Sequence, residues 1–310
     1  MKVTILGITG GVGHAVAQAF VAAGHEVRAL VRSPDKVVDA TGVELLVGDA
    51  RDPSALTAAL AGADVVFHGL NLPYPDWDPG MIELTRAVLD AATAQGVTVL
   101  FPGNVYGLGP DYAEPMAEDA RHEPTTRKGR LRNRLERMLA QADVPTIVLR
   151  MGDFFGGIGQ SSWMYHLTDG TLRGAALSYG GDRNVLHSWA YLPDAAATFV
   201  QLAERRRELD PHEVFHFEGH VVDGHSWVEA ARRALGDPDR RVRAFPWFWM
   251  NFGRPFSPMV RELFEMRYLW QEPVRMRQDK LVALLGDVPH TPFDEAMRTA
   301  LLPAPASRAA

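Results

Sequence analysis

Seven residues near the amino terminus, Gly7-Ile8-Thr9-Gly10-Gly11-Val12-Gly13, do most to limit what this chain can fold into. They stand between a β-rich run, Val3–Ile8, and a helical pattern, Val12–Ala23. In that context Gly7 permits a tight turn off the strand and Gly10 lets the backbone approach a pyrophosphate. Gly13 lets the helix pack closely on the sheet, while the helix's free N–H groups face the anion. No Lys-Ser/Thr follows the glycines, which argues against a triphosphate-binding loop. The turn therefore predicts a dinucleotide site with Gly7, Thr9, Gly10, Gly11, Val12 and Gly13 as its contacts.

The chain continues in the order such a site requires. Apolar runs at Glu26–Val31, Val43–Val47, Asp64–Leu70, Val97–Phe101 and Thr146–Met151 alternate with helical patterns near Pro53–Ala61, Pro79–Gln95 and Thr125–Ala142. Asp52-Pro53 and Asp78-Pro79 read as helix starts, and Gly24 and Gly96 as helix ends. Strands this apolar suit a parallel sheet covered on both faces. The expected fold is α/β, a doubly wound parallel (Rossmann) sheet with a smaller carboxyl-terminal substrate domain. The nucleotide domain is expected to comprise 1–152 and 184–218, interleaved with a substrate domain of 153–183 and 219–310.

The second strand ends Ala29-Leu30-Val31-Arg32-Ser33, without the acid that NAD-preferring sites place there. Arg32 can bond a 2′-phosphate bidentately, with Ser33 and Lys36 nearby. This favours NADP, with NAD as the alternative.

Composition narrows the remaining classes. The absence of cysteine excludes disulfides, thiolate nucleophiles and Cys-ligated metals. A net charge of −6 argues against a general nucleic-acid binder, and no stretch is apolar for long enough to span a membrane. The charge-free stretch between Lys2 and Glu26 superficially mimics a signal peptide, but Gly7, Gly10, Gly11 and Gly13 interrupt it. A cytoplasmic protein acting on a small molecule, with neither nucleic acid nor membrane as partner, is expected.

The chain resembles the atypical or extended short-chain dehydrogenases/reductases, in particular the NAD-dependent epimerase/dehydratase family. The resemblance rests on GITGGVG, on LVGD ending at Asp49, on Asn104-Val105-Tyr106-Gly107, on Val148-Leu149-Arg150 and on Tyr191-Leu192-Pro193-Asp194-Ala195-Ala196. It implies that Asp49 bonds the adenine amino group, that Gly69 and Leu70 line the middle of the cofactor, and that the protein pairs as a homodimer. Two departures stand out. Pro102 replaces the Ser or Thr usual four residues before Tyr106. Where relatives carry Tyr-x-x-x-Lys, counting onward from Tyr106 gives Thr126 and Arg130. Thr cannot serve as the proton relay. Arg130, or Lys128 in a shifted register, remains as a ribose or phosphate ligand.

Tyr106, helped by Asn104 at the carboxyl end of a strand, is the expected proton-handling group, and Asp153 is the alternative. His212-Glu213-Val214-Phe215-His216 matches a zinc-protease pattern, but its alternation reads as a strand. That would put the two His roughly 13 Å apart, too far to share a metal. The aromatic concentration from Phe245 to Trp270 reads as core and interface, or as a pocket wall. The leading functional expectation is an NADP-dependent oxidoreductase or epimerase/dehydratase-like enzyme acting on a small carbonyl or hydroxyl substrate. The alternative is a non-catalytic, redox-sensing NADP-binding regulator.

Overall fold

A computed structural model describes residues 1–109, 115–158, 164, 167–168 and 176–301. The uncharged glycine-rich stretch becomes the first β–turn–α unit. Strand β1 (Lys2–Leu6) ends at Gly7, and helix α1 (Gly11–Ala22) begins after Gly10. The succession then runs β2 (Glu26–Val31), β3 (Val43–Val47), α2 (Pro53–Leu60), β4 (Val65–His68), α3 (Trp77–Gln95), β5 (Thr98–Asn104), α4 (Arg127–Ala140) and β6 (Thr146–Met151). Asp52 caps α2 by accepting from Ser54 N at 2.9 Å. In α3 the helical dihedrals break at Asp78 (φ −111°, ψ 117°), so the continuous helix runs on from Pro79, where the Asp78-Pro79 pair put its start.

These strands form a seven-stranded sheet in the order β10-β6-β5-β4-β1-β2-β3, with every neighbouring pair parallel. Its last strand, β10 (His212–Phe217), is contributed only after the chain has left the sheet and returned. The inner strands are buried because helices cover both faces, whereas the edge strand β3 is not. On one face Leu56, Val88 and Leu135 of α2, α3 and α4 pack against the sheet. On the other, Phe20 of α1 and Phe199 of α5 (Leu192–Glu204) do so, together with Leu281 of the later helix α9 (Asp279–Leu285). Strand order reverses between β1 and β4, which opens a crevice at their carboxyl ends.

A second, smaller body is built on β7 (Asp153–Phe155), β9 (His187–Tyr191) and β11 (His220–Val222), which form their own sheet. Strand β8 (Leu177–Tyr179) pairs with β12 (Val242–Ala244). Helices α6 (Gly224–Leu235) and α10 (Phe293–Leu301) pack around Trp189, Trp227 and Trp270 in a third core. Thus β9, which falls inside 184–218, pairs in the second sheet, while α5 just after it packs on the first.

The zinc-protease pattern lies on β10, an extended strand. His212 bonds Thr146 Oγ1 at 2.6 Å, and His216 bonds Met116 O and Arg150 Nη1, each at 3.1 Å. Among the described residues no helix is long and apolar enough to cross a membrane.

Candidate functional site

Two cavities meet end to end along the crevice, sharing Gly10, Gly69, Leu70, Asn71 and Leu72 in their walls. The outer one holds about 480 Å³ and the inner about 630 Å³. Each has the volume of a small-molecule site, roughly 300–1,000 Å³, and the shared wall joins them into one cleft.

The glycines at the junction have separable duties. Gly7 has φ +96°, and a Cβ there would press on the Gly69 carbonyl; a Cβ on Gly13 would strike Gly7 O. Gly10 differs, since a Cβ there would meet only Gly7 O at 3.5 Å and would otherwise project into open space. No side chain caps α1, so its first N–H groups face the cleft unclaimed by the protein's own side chains. That is the geometry of a pyrophosphate cradle.

Thr9, Arg32, Ser33, Lys36, Asp49 and Arg51 line the outer cavity. The Asp49 carboxylate accepts from Arg51 N at 2.9 Å, which fixes its orientation. Arg32 is exposed and has no ion-pair partner among the described residues. Gly69 and Leu70 lie midway along the cleft, while Gly11, Val12 and Gly13 line the inner part.

The inner chamber gathers the titratable side chains predicted for the site. Tyr106 is buried, and its hydroxyl lies 3.2 Å from that of Tyr74. Burial pushes the Tyr106 phenol well above its ordinary range, reinforced by Tyr74 and Asp153. The Tyr74 phenol is raised as well, again chiefly by burial. Tyr106 therefore holds its proton at neutral pH. It can donate a hydrogen bond but cannot serve as a ready base. Asn104 Oδ1 accepts from Tyr106 N at 3.1 Å, so Asn104 orients the tyrosine while its side chain lines the chamber.

His68 is fully buried beside them, bonded through Nε2 to Thr85 Oγ1 at 3.0 Å, with Nδ1 left without a partner. Burial, aided by the charge on Arg132, lowers its pKa to about 3, so the ring is neutral. Asp153 lies in the wall, bonded to His187 Nε2 at 2.9 Å; His187 is stacked on Trp270.

Helix α4 corrects the register counted from Tyr106. Thr126 is the helix cap, its Oγ1 accepting from Gly129 N at 3.0 Å. Arg130 is exposed, donates to Thr125 O at 3.1 Å and does not line the cleft. The residues four apart that turn inward are Lys128 and Arg132. Lys128 is 3% exposed and lies over the Tyr74 ring, held by Glu262 and by Glu265 at 2.8 Å. Arg132 lines the chamber, its guanidinium 4.9 Å from the Trp77 ring and 5.7 Å from that of Phe101.

The carboxyl-terminal aromatic stretch divides by position. Trp247, Met266, Leu269 and Trp270 are core. Helix α8 (Pro258–Glu265) sends Met259 and Leu263 into the chamber wall. Phe248, Trp249, Phe252 and Phe256 remain exposed, the last at 88%; the first three lie on α7 (Trp247–Gly253).

A family profile described as NAD(P)H-binding matches residues 7–161, half of the chain. The chain belongs to this NAD(P)H-binding family. The open cradle at Gly10, the capless α1 and the cations at the outer end fit that cofactor. Known relatives are reductases. A 3-diazoavenalumate denitrifying reductase from a Streptomyces species is 30% identical over 175 residues, covering 50% of this chain and 57% of the relative. An NAD(P)H azoreductase from Xenophilus azovorans is 32% identical over 111 residues, covering 35% and 37% respectively. The chain thus matches little more than half the length of the first of these relatives and about a third of the second.

Solved structures show the same fold over almost the whole chain. MoeE5 in complex with UDP-glucose and NAD superposes with TM-score 0.75 at 20% identity, covering 97% of both chains. UDP-glucose 4-epimerase from Bifidobacterium longum, in complex with NAD+ and UDP, gives TM-score 0.74 at 18% identity, covering 97% of both. The NAD(P)H-binding protein therefore shares the overall fold of these two structures.

Sequence reasoning missed Tyr74, Arg132 and the roof residues Met259 and Leu263. Arg132 left a trace: 128, 132, 135 and 139 follow one helix face, the face on which Leu135 and Leu139 are buried.

Proposed function

We propose that this protein is an NADPH-dependent reductase of a small, largely apolar, unsaturated substrate bearing a C=O, C=C or N=N bond. The observation that carries the reading is the inner chamber, an aromatic pocket continuous with the cofactor cradle and floored by protonated phenols rather than by a Tyr-x-x-x-Lys pair. The dinucleotide, when bound, supplies hydride. Gly10 leaves room for the pyrophosphate, and Arg32, Ser33 and Lys36 offer the 2′-phosphate its cations and hydroxyl. Tyr106 donates a hydrogen bond to the heteroatom on which negative charge develops, with Tyr74 supporting its hydroxyl. Met259 and Leu263 keep water from the reacting bond. The relatives named for diazo and azo compounds support including nitrogen–nitrogen acceptors in the substrate class.

A second reading, a non-catalytic NADP-binding regulator, draws on Lys128, whose ion pairs with Glu262 and Glu265 hold it in a structural role. NADPH oxidation measured against aryl ketones, enones and azoarenes separates the two. Oxidation dependent on one acceptor class, and reduced in Tyr106→Phe, supports the reductase. Tight NADPH binding without oxidation by any acceptor overturns it in favour of the regulator.

A further inference from the structure

The chain treats its buried cations consistently, with one exception. Arg150 on β6 donates to both Glu136 oxygens at 2.7–3.2 Å and also to Glu118 O. Arg28 on β2 donates to Thr4 Oγ1 at 3.0 Å and to Ala61 O at 2.7 Å. Lys128 has two carboxylates and the Glu262 carbonyl. Among the described residues, Arg132 alone faces the chamber with its donors nearly idle: its Nε is buried without a partner there, and Nη1 reaches only Pro102 O at 3.4 Å. No carboxylate among the described residues pairs with it.

The single acid among the described residues of the chamber wall, Asp153, is engaged by His187. A guanidinium buried without an anion is costly, and the planar fork of Arg is suited to carboxylate geometry. Its surroundings set the rest of the ligand. Trp77 and Phe101 face its guanidinium, and Tyr74, Phe154, Met259 and Leu263 line the same chamber with rings and aliphatic surface. The pyrophosphate already has the amino terminus of α1 at the opposite end of the chamber's glycine wall.

We infer that Arg132 is the anion anchor of the substrate pocket, and that the chamber takes a flat aryl carboxylate whose acid group pairs with this guanidinium. This rests on reading the chamber as a substrate site. The test therefore measures binding rather than turnover, so that absence of catalysis and absence of this subsite give different results.

The experiment is calorimetric titration of the NADP-saturated protein with benzoate, cinnamate and 4-hydroxycinnamate, each beside its methyl ester. At least one acid should bind about tenfold more tightly than its ester. Arg132→Met should remove that preference while NADPH affinity, read by fluorescence, changes less than about threefold; Arg132→Lys should retain part of it. The acid–ester comparison in the unaltered protein keeps the test valid if a variant fails to fold. Equal binding of acid and ester, or no binding of any acid, would overturn the proposal. So would a loss of NADPH affinity in Arg132→Met equal to the loss for the acid, which would assign the guanidinium to the cofactor.

Discussion

The hydroxyls of Tyr74 and Tyr106 lie 3.2 Å apart in the chamber, and burial raises the pKa of both phenols. One comes from the loop after β4 and the other from the turn after β5, so the pair spans the carboxyl edge of adjacent strands.

A raised phenol pKa sets the pH behaviour of the site. The folded state holds these protons more tightly than the unfolded chain, so the stability it confers is complete below about pH 10 and falls as pH rises beyond it. Between pH 6 and 9 the rate should show no break attributable to Tyr106. Tyr106→Phe should lower turnover about tenfold by removing a hydrogen bond, without shifting the profile. Steady-state pH profiles of the two proteins decide this, and a break near neutrality that vanishes in the variant would show a deprotonating phenol instead.

The glycines of the first turn should separate folding from binding. Gly13→Ala forces a Cβ against the Gly7 carbonyl and should destabilise the protein by about 1–3 kcal/mol. Gly10→Ala meets nothing closer than 3.5 Å and should unfold within a few degrees of the parent, yet lose NADPH binding because its methyl enters the cradle. Thermal unfolding and fluorescence titration on both variants check the contrast. Equal stability loss in the two would refute it.

Arg32→Ala should weaken NADPH binding about tenfold or more, the worth of a charge-assisted hydrogen bond, and leave NADH nearly unchanged. Parallel titrations with the two cofactors read this directly. If NADH binds the parent as well as NADPH does, the 2′-phosphate assignment to Arg32, Ser33 and Lys36 is wrong.

Acid sensitivity should arise beneath β6. His216 accepts from Arg150 Nη1 and donates to Met116 O, which requires the neutral ring, and burial lowers its pKa to about 3. The unfolded chain takes up that proton near pH 6.5, so stability is full above this value and drains as pH falls toward 3. His216→Gln should start less stable at pH 7 but lose less on acidification to pH 5. Unfolding midpoints at several pH values measure both slopes, and parallel slopes would remove His216 as the cause.

How much of this was legible in the residues depended on whether local chemistry decided the outcome. Gly7 and Gly13 announced the first unit because only glycine fits positions where a Cβ would meet backbone. Asp52 announced a helix start, and its carboxylate does cap one. Arg130 was misplaced because the spacing from Tyr106 was counted through a loop, whereas Thr126, by capping α4, sets the helical phase. Once that phase is fixed, Lys128 and Arg132 face inward and Arg130 faces solvent. Tyr74 and Leu263 could not be foreseen: they reach the chamber only because the β4–α3 loop and α8, remote in sequence, fold over the same crevice.

Strand β10 carries a consequence for modularity. The recognisable half of the chain, 7–161, contains the glycine turn and most of the sheet, but not the strand that covers β6. Severed after it, Thr146–Met151 would become a bare, apolar edge open to pairing with any other chain. The nucleotide-binding part is thus no cassette. Exchanging the second body for another would need joins before β7, between β9 and α5, and again after β10, with the returning strand kept in place.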